Sequence, residues 1–159
     1  MTNKIIGIQG DKLDKINISS DTSIFLAHEA QKIGYKIFYY TPSNLSIIKN
    51  KTYANGVFVK LNYERKKFYK IYKKQKIDVE NLKFILIRQD PPFNSEYLIT
   101  TLILDNLKKT RVINNPVAIR NVSEKLYSKK FTKYMPDTIF SNNIEEVKKF
   151  YRSEEHTSE

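Results

Sequence analysis

The chain has 159 residues, a formal charge of +11 and no cysteine. Disulfides and thiolate metal sites are therefore excluded, and no apolar run approaches the ~18 residues of a membrane-spanning helix. Arginine is scarce beside lysine, so the charge reads as solvated lysine in a skewed composition rather than as a surface that binds nucleic acid.

The amino terminus is too short and polar for a signal peptide, and a cytoplasmic location is expected. Lys4–Ile8 is a short apolar run stopped by Gln-Gly-Asp and predicts a buried strand. Lys12–Ser20 reads as a loop. Asp21 is a strong N-cap and Gly34 a helix terminator, which predicts a helix over Asp21–Ile33 with a wide apolar face of Ile24, Phe25, Leu26, Ala27, Ala30 and Ile33. His28 lies within it and reads as a surface or packing residue. Lys36–Tyr40 is the next strand, so the first third of the chain is a βαβ unit. It has no G-x-G-x-x-G loop, and a dinucleotide site is not indicated.

Leu45–Ile48 and Tyr53–Leu61 predict a hairpin outside the main alternation, with Asn55-Gly56 as an alternative turn or bulge. Tyr63–Lys76 interleaves lysines with aromatics. It reads either as a nucleic-acid surface or, preferably, as an edge strand with Phe68 and Tyr72 facing the core. Phe84–Ile87 is a buried strand that must end near Arg88–Asp90, because Pro91 and Pro92 cannot continue a ladder. Ligands of open α/β sheets bind at such strand ends; a local Arg88–Asp90 pair that tidies the turn is the other reading. A helix follows over Ser95–Leu107, then a strand at Arg111–Ile113 and a helix with Pro116 in its first turn. Helix is expected from Ile119 to about Phe131, with Ser123 and Glu124 opening a second segment. Thr138–Phe140 is expected to be extended, and Ser141 to cap a last helix over Asn143–Tyr151. The pattern predicts an α/β fold: an open, mostly parallel sheet with helices on both faces plus a β-hairpin.

The block Arg88-x-Asp90-Pro91-Pro92-Phe93-Asn94-x-Glu96-Tyr97 resembles prokaryotic glutathione synthetase, a family of ATP-grasp ligases. Collinear blocks extend the resemblance over nearly the whole chain: Ile16-Asn17-Ile18 with Asp21-Thr22-Ser23, the segment Val112–Leu126 with Arg120, Glu124 and Lys125, and Met135-Pro136-x-Thr138. Gln89 departs from it, standing where the family usually has a basic residue. Gly10-Asp11-Lys12 also departs, in place of a methionine or similar residue followed by Asp-Pro.

The resemblance implies a Rossmann-like pre-ATP-grasp domain over residues 1–122, the start of an ATP-grasp domain over 123–151, and a full-length protein roughly twice as long. It implies the ligation of γ-glutamylcysteine to glycine with ATP and magnesium or manganese, in a cytoplasmic homotetramer. It assigns substrate binding to Arg88, Asp90, Asn17 and Ser23 and an ATP phosphate contact to Lys125; metal ligands and catalytic groups are expected outside this chain, and the chain alone is expected to be inactive. Another ATP-grasp carboxylate–amine ligase, or a basic nucleic-acid-binding module, are the alternatives. The final stretch Arg152–Glu159 matches a translated sequencing adapter and is expected to be a non-native tail.

Overall fold

The computed structural model describes residues 4–63, 67–122 and 125–155. It divides into two compact units, Met1–Asn121 and Val122–Glu159.

In the first unit, β1 (Ile5–Gln9) leads through a loop to α1 (Thr22–Lys32) and β2 (Lys36–Tyr40). β3 (Leu45–Ile48), β4 (Lys51–Leu61) and β5 (Tyr69–Asp78) follow, then β6 (Phe84–Ile87), α2 (Ser95–Asp105), β7 (Arg111–Ile113) and α3 (Pro116–Asn121). The strands form one seven-stranded sheet in the order β3-β4-β2-β1-β6-β7, with β5 paired to β4. β2, β1, β6 and β7 are mutually parallel, whereas β4 is antiparallel to β2, β3 and β5.

Side chains alternate across the strands, so the apolar runs fill two cores rather than one. Ile6, Ile8, Ile37 and Tyr39 pack with Ile24 and Ala27 of α1 on one face. Phe38, Tyr40, Ile85 and Ile87 pack with Leu104 of α2 on the other. The α1 apolar stripe is narrower than the sequence predicts, since Phe25, Leu26 and Ile33 stay exposed. The loop after β1 is not wholly irregular: Leu13–Lys15 forms a turn of 3-10 helix that sends Leu13 into the α1-side core.

The hairpin stands outside the βα alternation, as expected, and is joined to the same sheet. Its turn is Lys49-Asn50, both at positive φ, as a tight two-residue hairpin requires. Along one edge of β4, residues 51–54 pair with β3 and residues 57–59 with β2. Asn55-Gly56 is therefore neither turn nor bulge; it pairs with Lys76 and Gln75. Gly56 lies mid-strand because a Cβ there would meet Phe38 Cζ and the Tyr39 carbonyl oxygen at 2.5 Å. The irregularity in β4–β5 pairing falls instead at Phe58/Val59. β5 is the edge strand preferred from its lysines, with Phe68 buried just before it. Tyr72 does not face the core: it is 55% exposed and only tilts against Phe58. Residues 64–66 of that segment lie outside the described residues.

In the second unit, the long helix expected from Ile119 is not continuous. α3 ends at Asn121, Ser123 and Glu124 lie outside the described residues, and Leu126–Tyr134 is 3-10 helix kinked at Phe131. Thr138–Phe140 forms no strand, as it has no ladder partner among the described residues. The last helix, α4 (Ile144–Glu155), begins one residue later and runs past Tyr151. Asn143 caps it, accepting from the Glu145 N–H at 3.0 Å, while Ser141 stands ahead and accepts from the Asn143 N–H. Residues 156–159 lie outside the described residues.

Candidate functional site

The carboxyl ends of β1 and β6 and the amino terminus of α1 surround a cleft of about 660 Å³. Three local features build it. The α1 amino terminus is fixed by Asp21, whose Oδ1 accepts from the N–H groups of Ser23 (2.7 Å) and Ile24 (2.9 Å). The β6 end is fixed by the Arg88 N–H donating to the Gln9 carbonyl at 2.7 Å. The loop beyond is fixed by Asp11, whose Oδ2 accepts from the Asp90 N–H at 2.9 Å.

Arg88 does not pair with Asp90, which sets aside the reading of a charge pair that tidies the turn. Its Nε donates to Ser23 Oγ at 2.9 Å and its Nη2 to Thr22 Oγ1 at 2.7 Å. Both partners are neutral, and Arg88 makes no ion pair within 4.0 Å among the described residues. Its positive charge is therefore held in place without being cancelled. The carboxylate of Asp90 likewise accepts no hydrogen bond from the described residues. The cleft is amphoteric: Arg88, Lys12 and Lys15 share its walls with Asp11, Asp21, Asp90 and Glu96.

The sequence-predicted residues separate by role. Arg88, Asp90 and Asn17 line the cleft. Asn17 spends its side chain on its own loop, where Oδ1 accepts from the N–H and Oγ of Ser19. Ser23 is buried and does not line the cleft; it stands behind Arg88. Lys125 is exposed and belongs to the second unit.

Residue spacing does not single out Tyr97 as a site residue, but it both packs against the α2-side core and lines the cleft, with its ring 5.1 Å from that of Phe93. Burial raises its hydroxyl pKa; the Arg88 cation opposes the shift, and Asp11 and Asp90 add to it. The phenol is thus a neutral hydrogen-bonding group amid three charges. Its membership of the Arg88–Tyr97 block was the available signal. Beneath the cleft, the Tyr39 hydroxyl donates to the Asp11 carbonyl at 2.6 Å. Its pKa is pushed up by burial first, then by Asp21, Asp11 and Asp90.

Among the described residues, no helix is long and apolar enough to cross a membrane, and no group of three or more His, Cys, Asp or Glu side chains could hold a metal ion.

Fold and cleft together define an α/β protein with a cleft at the carboxyl edge of its parallel strands, the edge at which open α/β sheets bind their ligands. Residues 5–120 match the family described as "Prokaryotic glutathione synthetase, N-terminal domain". The chain belongs to that family. It is 36% identical over 146 residues to the glutathione synthetase of Mesorhizobium japonicum, covering 91% of this chain and 47% of the relative. The corresponding protein of Buchnera aphidicola subsp. Acyrthosiphon pisum is 35% identical over 148 residues (92% and 46%), and that of Vibrio parahaemolyticus 33% over 153 residues (95% and 48%). The chain thus spans about half the length of the curated relatives it matches.

Proposed function

We propose that this chain supplies the γ-glutamylcysteine-binding wall of a glutathione synthetase, an ATP-dependent carboxylate–amine ligase. The observation that carries the reading is Arg88: a guanidinium at a strand end, held by two hydroxyls and left uncancelled in an amphoteric cleft. γ-Glutamylcysteine presents carboxylates and one α-amine, which suits a cleft lined by both signs of charge. Arg88 receives a carboxylate, and Asp90 accepts from the α-amine. Ser23 and Thr22 aim Arg88, while Asn17 shapes the loop that closes the cleft beside α1.

In this reading ATP supplies the phosphoryl group that activates the cysteinyl carboxylate, and the glycine amine then forms the peptide bond as phosphate leaves and the amine gives up a proton. Lys125 would meet a nucleotide phosphate as a point charge, at the start of an ATP-grasp region over residues 123–151. Magnesium or manganese belongs to the same reading, with its ligands expected outside this chain. A cytoplasmic location and a homotetrameric full-length protein belong to the same reading.

Calorimetric titration of the 159-residue chain with γ-glutamylcysteine tests it. Saturable binding is expected, weakened about tenfold or more in R88M, as for loss of a charge-assisted hydrogen bond. No saturable binding, or equal binding by R88M, overturns the assignment. The chain alone is expected to release no ADP from ATP, γ-glutamylcysteine and glycine above a protein-free control, because it spans only about half the length of its relatives.

A further inference from the structure

The adjacent strands β1 and β6 each run into a glutamine at the edge of the cleft. Gln9 closes β1 and is fully buried; Gln89 follows β6 and is 9% exposed. The Gln9 Nε2 donates to the Gln89 Oε1. The Gln9 Oε1 is buried with no partner among the described residues, and an unsatisfied buried acceptor costs the fold stability. Two apolar side chains would fill the same space without that loss, so stability does not account for the pair.

The pair does set the direction of Gln89. Its oxygen is turned inward onto Gln9. Its nitrogen has no partner among the described residues, yet is not among the buried unpartnered atoms. Gln89 also lines the cleft, between Arg88 and Asp90. The amide nitrogen therefore keeps some exposure, on a residue of the cleft wall that stands between its cation and its anion.

We propose that Gln89 is a specificity-determining residue that donates an amide N–H to a ligand carboxylate already drawn to Arg88, and that Gln9 is the positioning residue that keeps nitrogen, not oxygen, turned outward. Arg88 supplies the charge. Gln89 supplies a directional neutral donor, which favours a carboxylate oxygen over the NH₂ of a carboxamide. On the far side, Asp90 repels the carboxylate, so the ligand's orientation is set across this one residue. The inference rests on the γ-glutamylcysteine reading above.

Titration calorimetry on the whole chain, with γ-glutamylcysteine and each of its two mono-carboxamides, tests it, with thermal melting as the check on folding. Q89L is expected to weaken γ-glutamylcysteine binding about tenfold, and to leave binding of one of the two carboxamides unchanged. Q89E keeps the bond from Gln9 but turns a carboxylate oxygen to the cleft, and is expected to weaken binding further. Q9L, or Q9M should Q9L not fold, is expected to match Q89L, with no added loss in the double variant. Q89E binding as tightly as wild type, or Q89L binding unchanged, overturns the role of Gln89 alone. Additive losses in the double variant overturn the positioning role of Gln9. Failure of the wild-type chain to bind γ-glutamylcysteine overturns both this inference and the function it rests on.

Discussion

Arg88 Nε donates to Ser23 Oγ at 2.9 Å, joining the end of β6 to the first turn of α1 across 65 residues of sequence. The bond ties the parallel sheet to the helix that covers it and aims the guanidinium in the same act. Thr22 supplies the second hydroxyl, from the exposed side.

Ser23→Ala removes the buried acceptor and leaves the Nε–H unpaired. We expect a loss of about 1 kcal/mol in denaturant unfolding and weaker γ-glutamylcysteine binding by calorimetry. Thr22→Val, on the exposed side, is expected to affect binding more than stability. Unchanged affinity in both variants would show that the hydroxyls do not aim Arg88.

Asp21→Ala strips the cap from α1 and exposes the N–H groups of Ser23 and Ile24. The expected cost is about 0.5–2 kcal/mol, with a lower thermal midpoint by circular dichroism. Asp21→Asn keeps an accepting oxygen and should recover most of it. A cap that contributes nothing would leave all three proteins with the same midpoint.

Glu80 holds the loop between α2 and β7, accepting from the N–H groups of Lys108 at 2.6 Å, Lys109 at 2.8 Å and Thr110 at 3.0 Å. Burial raises its pKa, but those three bonds and the Lys109 charge outweigh it and hold the carboxyl below the ordinary range. A depressed folded pKa contributes stability that is fully present above the unfolded value of about 4.3 and is lost as pH falls through the folded one. Acid titration of the unfolding free energy should show this loss in the wild type and a flatter curve in Glu80→Gln. Parallel curves for the two proteins would count against it.

Gly56→Ala forces a methyl group to within 2.5 Å of the Phe38 ring and the Tyr39 backbone. The φ of Gly56 is ordinary, so the penalty comes from crowding alone, about 1–3 kcal/mol. Because β2 carries Tyr39 beneath the cleft, weakened ligand binding is expected alongside the loss of stability. Wild-type unfolding behaviour in the variant would rule out the crowding.

The features legible in the sequence were those set by a few neighbouring residues. The Asp21 cap, the Gly34 terminator at φ 89° and the stop after Ile87 all depend on local backbone chemistry. The strands β1, β2 and β6 were readable from continuous apolar runs, because a strand buried on both faces needs nothing else. Misread features depended on what lay opposite. Asn55-Gly56 looks like a turn until Phe38 is packed over it. Tyr72 looks like a core residue until the irregular pairing at Phe58/Val59 shifts the alternation. Thr138–Phe140 had strand-forming residues but no ladder to join.

The sequence by itself determined the α/β class, the family and the block that carries Arg88 and Asp90, since these rest on residue order and short-range geometry. Only the tertiary structure decided what Arg88 is bonded to. Its partners lie 65 and 66 positions away, on a helix brought beside it by sheet pairing. Spacing suggested Asp90 as the neighbour; the fold gave it two hydroxyls instead, and so left the charge uncancelled.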